Sequence, residues 1–295
     1  MIKIGLIGTQ SMHGWSFAEA LNVPDEQGNY RCENARVVAA YGLDDEKEHI
    51  DFTLKKGNIP KLVGSLEELL AECNAFMILQ RMGSEHIKYA KEIIERGYPV
   101  FVDKPVCNSY EDIKILEELA KDNNVFICGG SGLKHNKQVK ELKKFAKEYK
   151  DGIRGGTINH SSDINSPYEG IFFYLPHAVE AMLEIFGYNP VSVNTTVLSN
   201  NNFTVCVKYE DKLVNLAINS CRPSFVVING EESLCVEIDS SDIYREEIKY
   251  FVNEIEKNTI TKDVSKITKH VLIILKIKES IETGKEVFIN DNSIY

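Results

Sequence analysis

Asp103, Lys104 and Pro105 close the apolar run Phe101-Val102, which follows a helical stretch ending at Gly97. Open α/β sheets gather ligands and chemistry at the carboxyl ends of their strands. Proline ends a strand and fixes the backbone, so Lys104 is presented from a rigid corner. A second proton-transfer candidate is His177, which follows Pro176. Proline favours the first helical position, so the imidazole falls in the first turn of a helix. The positive helix end disfavours an imidazolium there and keeps a neutral base available near pH 7. Glu180, three residues on and on the same face, could orient the ring or bind a substrate hydroxyl. Taken alone, Lys104 reads as an incidental turn lysine and His177 as a hydrogen-bonded core histidine. The surrounding chain decides between these readings.

The segment Gly8-Thr9-Gln10-Ser11-Met12-His13-Gly14 lies between the first strand and the first helix, where a dinucleotide fold has its phosphate loop. That task needs a tight turn, close backbone approach to the pyrophosphate and amides aimed at negative charge. Gly8 meets the first need. The second and third glycines of G-x-G-x-x-G would fall at Gln10 and His13, and Gly14 comes one residue late. The second strand ends on Gly42, where an acid usually meets the adenosine ribose. Asp44 and Asp45 follow and could reach the ribose, which would favour NAD over NADP, or could simply be a solvated helix start.

The elements that must hold these residues can be read from periodicity. Buried strands at residues 2–8, 36–43, 75–79, 99–102 and 125–128 alternate with helices at 15–22, 45–56, 86–96 and 110–122. Ser65 opens a further helix with a capping box. Single helices between strands mean right-handed βαβ units and a parallel sheet. Beyond residue 133 the pattern changes. A basic amphipathic helix (134–149), a strand (155–160) and a helix (176–186) lead into alternating strands over 191–238, with Asn229-Gly230 read as a tight hairpin. Two amphipathic helices close the chain. The fold expected is α/β: an N-terminal Rossmann dinucleotide-binding domain (1–125), then a C-terminal α+β domain (126–295) with a mostly antiparallel open sheet, whose last helix packs back on the first domain. The 295 residues are 43% apolar, enough for two domains. A net charge of −10 argues against a nucleic-acid or anionic-membrane surface. Seven dispersed cysteines without a C-x-x-C pair read as buried, reduced thiols, with no metal site. The chain opens directly on a strand with no leader pattern, so a cytoplasmic protein is expected.

These pieces in this order resemble the glucose-fructose oxidoreductase / inositol dehydrogenase (Gfo/Idh/MocA) family. The resemblance rests on IGLIGT at the start, SLEELL, Ala75-Phe76-Met77-Ile78-Leu79 leading to His86, and Glu95-Arg96-Gly97 before VFVDKPV. The family's E-K-P appears as Asp103-Lys104-Pro105. Leu175-Pro176-His177-Ala178-Val179-Glu180 resembles its histidine helix, and KESIETGKEVFI its ending. The resemblance implies NAD(P)-dependent hydride transfer on a hydroxyl or carbonyl of a sugar, cyclitol or sugar-derived acid. It makes Lys104 the residue that binds the reacting hydroxyl and moves its proton, with His177 as acid/base partner. Such chemistry needs a group to take the hydroxyl proton, and burial with a nearby cation would suit a lysine to it.

The cofactor, NAD or NADP with NAD favoured, is expected over Gly8, Thr9, Gln10, His13 and Asp44. Leu79, Gln80, His86, Asp103 and Lys104 would line its nicotinamide half. Tyr174, Glu180, Asn159 and His160 are the substrate-side candidates. The expected partners are a small polyol or sugar-like substrate and further copies of the chain, as a homodimer or homotetramer through the second sheet. One departure stands out. Many catalytic relatives carry an aspartate four residues before the histidine, and this chain has Phe173. That loss keeps open a catalytically inactive dinucleotide-binding regulatory or scaffold homologue. A dehydratase or glycosidase that oxidises transiently and returns the hydride is a further alternative.

Overall fold

The computed structural model describes residues 1–43, 46–149, 152–220 and 224–289. The chain forms two compact units, residues 1–107 with 111–130 and 243–267, and residues 108–110 with 131–242 and 268–295.

In the first unit β1 (Ile2–Ile7), α1 (Met12–Asn22), β2 (Ala35–Tyr41), α2 (Lys47–Lys56), β3 (Leu62–Val63), α3 (Leu66–Glu72), β4 (Ala75–Ile78), α4 (His86–Glu95), β5 (Val100–Asp103), α5 (Tyr110–Asp122) and β6 (Ile127–Gly130) follow in turn. The sheet order is β3-β2-β1-β4-β5-β6, and every pairing is parallel. The order reverses between β1 and β4, so the carboxyl ends of these strands open the crevice in which such folds bind ligands. β4 and β5 are buried at every position, which explains the apolar spelling of Ala75–Ile78 and of Val100–Val102. Half of the expected capping box forms: Ser65 Oγ accepts from the Glu68 amide at 3.2 Å, while the Glu68 carboxylate accepts from the amide of Gly64, one residue before the cap, at 2.9 Å.

Helix α1 starts at Met12, three residues earlier than its periodicity suggests, because Ser11 caps it by accepting from the His13 amide at 3.2 Å. His13 therefore sits in the first turn of a helix rather than in the loop.

The second unit holds α6 (Lys137–Glu148), β7 (Gly155–His160), α7 (Leu175–Phe186), β8 (Ser192–Ser199), β9 (Asn202–Lys208), β10 (Leu213–Ile218), β11 (Phe225–Asn229) and β12 (Ser233–Glu237). After them α8 (Ile243–Glu256) belongs to the first unit, where Ile248, Phe251 and Val252 share a core with Ile4, Phe17 and Phe101. Helix α9 (Ser265–Thr283) and β13 (Val287–Phe288) complete the chain. The second sheet runs β12-β11-β7-β10-β9-β8-β13, antiparallel except where β7 pairs with β10. The expected α/β class, with a Rossmann sheet followed by a mostly antiparallel one, is what the structure has.

The Asn229-Gly230 turn differs from expectation. Three residues, Gly230 to Glu232, join β11 to β12, and Gly230 does not use a left-handed backbone. Its lack of a side chain serves close approach instead. A Cβ there would lie 2.5 Å from the Tyr149 ring, whose hydroxyl accepts from the Glu231 amide at 2.8 Å. Among the described residues no helix is long and apolar enough to cross a membrane.

Candidate active site

At the end of β1 the chain turns on Gly8, with φ +97°. A Cβ there would meet the Gln80 amide nitrogen at 2.9 Å, so only glycine allows the β1 turn to close against the end of β4. Thr9, almost fully buried, gives both its amide N–H and its hydroxyl to one oxygen of Glu46, the hydroxyl at 2.6 Å. Glu46 is itself buried and immediately precedes α2. Gln10 is tied to Arg81: its side-chain oxygen accepts from the Arg81 amide at 3.2 Å, and its carbonyl accepts from the guanidinium. Leu79 is fully buried. Gln80 is nearly so, and its carbonyl lies 2.9 Å from Nε2 of His86 at the start of α4. Asp44 lies outside the described residues.

His13 and Asp103 meet here, with Nδ1 2.6 Å from Oδ2. The His13 ring packs edge-on against Tyr244 of α8 and Phe17 of α1, with centroids 5.0 and 6.2 Å away. Burial pushes the Asp103 carboxyl up, but His13, then Lys104 and His86, outweigh it and hold the group below its ordinary range. Lys104 follows on a cis peptide to Pro105 and is only 6% exposed. Burial lowers its pKa and Arg81 adds to that, against the opposing pull of Asp103 and Glu247. A buried amine beside a fixed carboxylate, at the end of a parallel strand, is equipped to exchange a proton with a bound hydroxyl.

In the second unit α7 carries His177 in its first turn, half-buried. Its Nδ1 lies 2.6 Å from Ser131 Oγ. The rings of His160 and Tyr174 stand 5.7 and 5.9 Å from it, centre to centre. Phe173 turns to Tyr174 and Tyr168, with ring centres 4.6 and 4.8 Å away. Glu180 is 3% exposed. One of its oxygens accepts from the Ser131 amide at 2.7 Å and lies 3.3 Å from Nδ1 of His270; the other is 3.2 Å from Lys134 Nζ. Burial raises the Glu180 carboxyl to about 7, against the opposing effects of Lys134 and the Ser131 amide. Asn159, buried, accepts from the Asn219 side chain at 2.6 Å, and His160 Nδ1 lies 2.7 Å from the Ser161 carbonyl. Burial, with Lys134 and Lys140, depresses His135 to about 2, so it stays neutral.

The structure thus joins His13 to Asp103, Gln80 to His86, and His177 to the ring of Tyr174. It adds Glu46, Arg81, Ser131, Lys134, Glu247 and His270, which sequence reasoning missed. Glu46 had a signal in the acidic run that follows Gly42. Ser131 had none, since a serine between glycines reads as a turn. Among the described residues no group of three or more His, Cys, Asp or Glu is placed to hold a metal ion.

Residues 2–130 match the family model described as "Oxidoreductase family, NAD-binding Rossmann fold", GFO_IDH_MocA. The Gfo/Idh/MocA resemblance thus holds over the dinucleotide fold of residues 2–130. Solved structures extend the likeness in fold to 98% of the chain. The myo-inositol dehydrogenase of Lactobacillus casei, in complex with NAD(H) and myo-inositol, superposes with a TM-score of 0.81 at 16% identity over 97% of its length. A putative myo-inositol dehydrogenase of Sinorhizobium meliloti 1021 gives 0.79 at 17% over 100%. A putative NADPH-dependent oxidoreductase of Desulfitobacterium hafniense gives 0.78 at 15% over 97%. No curated protein matches the chain by sequence.

Proposed function

We propose that the chain is an NAD(P)-dependent oxidoreductase acting on a hydroxyl or carbonyl of a sugar, cyclitol or sugar-derived acid. The observation that carries this reading is Lys104, buried at the carboxyl end of β5 beside an Asp103 fixed by His13. The loop fits a dinucleotide: Gly8 keeps the left-handed turn, Ser11 still caps α1, and the helix start remains an anion seat despite Gln10 and His13. Bound, the nicotinamide would accept or give up a hydride. The turn after Thr9 and the start of α1 would hold its phosphates, and Gln80 and Asp103 would flank its nicotinamide half. Lys104, favoured toward the neutral amine by burial, takes the hydroxyl proton in oxidation and returns it in reduction. His177 is the second unit's proton-handling group, with Tyr174, Asn159, His160 and Glu180 as the residues that meet substrate oxygens.

One observation favours a second reading, a dinucleotide-binding homologue without turnover. Phe173 packs among aromatic rings where an acid would be expected, and a phenyl ring relays no proton. Titration with NADH and NADPH, followed by the emission of Trp15 in α1, tests the common part of both readings. Saturable micromolar binding followed by turnover in a screen of polyols and sugars supports the oxidoreductase. Binding without turnover supports the second reading, and no binding by folded protein removes both.

A further inference from the structure

Ser131 follows β6 directly and is completely buried. Its amide N–H goes to Glu180, and its hydroxyl oxygen accepts from the Leu133 amide at 3.2 Å. A buried hydroxyl hydrogen needs an acceptor, since leaving one unmade costs about 1–3 kcal/mol. Among the described residues the acceptor within reach is Nδ1 of His177, at 2.6 Å. The hydroxyl therefore donates to that nitrogen, and the ring's own hydrogen must sit on Nε2. Glu180 is in turn anchored through its other oxygen, which lies 3.2 Å from Lys134 Nζ.

We propose that Ser131, anchored by Glu180, is the positioning residue for His177 and fixes its neutral ring as the Nε2–H tautomer. This rests on the reading of His177 as a proton-handling group and sharpens it. A neutral Nε2–H ring offers an incoming oxygen a hydrogen-bond donor rather than a base. It polarises a carbonyl that is to be reduced, and stabilises the oxygen of an alcohol as that oxygen loses its proton. No carboxylate is needed at position 173 for this task, because the orienting contact comes from the β6 end instead.

The test is long-range ¹H–¹⁵N correlation of the imidazole nitrogens in the full-length, uniformly ¹⁵N-labelled protein. His177 is assigned by the signals lost in H177Q. At a pH where the ring is neutral, wild type is expected to show Nε2–H in more than about tenfold excess, the preference worth roughly 1.4 kcal/mol. Its unprotonated Nδ1 should resonate at a hydrogen-bonded position. S131A is expected to lose that position and admit the second tautomer, and S131T to restore the wild-type pattern. Unchanged signals from the other six histidines show that S131A is folded. An Nδ1–H tautomer in wild type, or an unaltered His177 in folded S131A, overturns the assignment. Neither dinucleotide nor substrate enters the measurement, so it can fail while the oxidoreductase reading stands, and the reverse.

Discussion

The chemistry proposed for Lys104 depends on the adjacent Asp103 and on Arg81 and Glu247, which the sequence separates widely from it. Lys104→Ala is expected to abolish turnover while NADH still binds, and His177→Ala to lower kcat by about 10²-fold; steady-state kinetics beside a binding titration separates the two effects. The base must be neutral to act, so alcohol oxidation is lost as pH falls through the lysine's pKa, which burial and Arg81 depress. Arg81→Gln removes one lowering influence and is expected to move the rising limb of the kcat/KM profile to higher pH. A limb that stays in place would rule Arg81 out. The Glu46 carboxylate on Thr9 stands beside the loop where an adenosine ribose would lie, and a 2′-phosphate would meet its charge. Wild type is thus expected to prefer NADH, and Glu46→Gln to narrow the NADH/NADPH affinity ratio by about tenfold. Lys104 and His177 could be picked from the sequence because proline marks both backbones. Ser131 and His270 could not, since a side chain that reaches back to another segment leaves no local spelling, and Glu46 was marked only by the acidic run after Gly42.

Among the elements, β4 and β5 were the plainest, as strands buried on both faces spell themselves in runs of apolar residues. The stripe of α8 was equally plain, but periodicity states only that a helix has a buried face. It does not state that Ile248, Phe251 and Val252 cover the first sheet's core after the chain has left that unit. The start of α1 was misread because His13 and Gly14 look like loop, while a single serine cap outweighs them. The hairpin after β11 was found for the wrong reason, its glycine answering to the Tyr149 ring rather than to φ. The turn between β1 and α1 is where backbone geometry bears most directly on cofactor binding. Gly8→Ala sets a Cβ against the Gln80 amide at positive φ and is expected to cost about 1–3 kcal/mol. Denaturant unfolding reads that loss, and a parallel titration should show weakened NADH binding.

For the whole molecule, the second sheet has one face packed on its helices, while Cys206, Asn215, Thr157, Val227 and Cys235 lie in one row across the other. With Leu213 exposed on that side, it is the face on which self-association is expected. Light scattering on the eluting protein should give a dimer or tetramer, and Val227→Glu, at one position of the row, should shift it toward monomer. A monomeric wild type would dismiss this arrangement. The same sheet has a further consequence, for the order of events during folding. The meander β8-β9-β10 and the hairpin β11-β12 each join strands adjacent in sequence, but they share no ladder with one another. Only β7, synthesised some fifty residues before β10, bridges them through its parallel pairing with β10 and its antiparallel pairing with β11. The two local pieces can form early and independently, while docking of β7 must close a long loop to each of them and sets the pace of their joining. Weakening β7 should therefore slow refolding of the second unit, whereas weakening the turn between β11 and β12 should chiefly speed its unfolding.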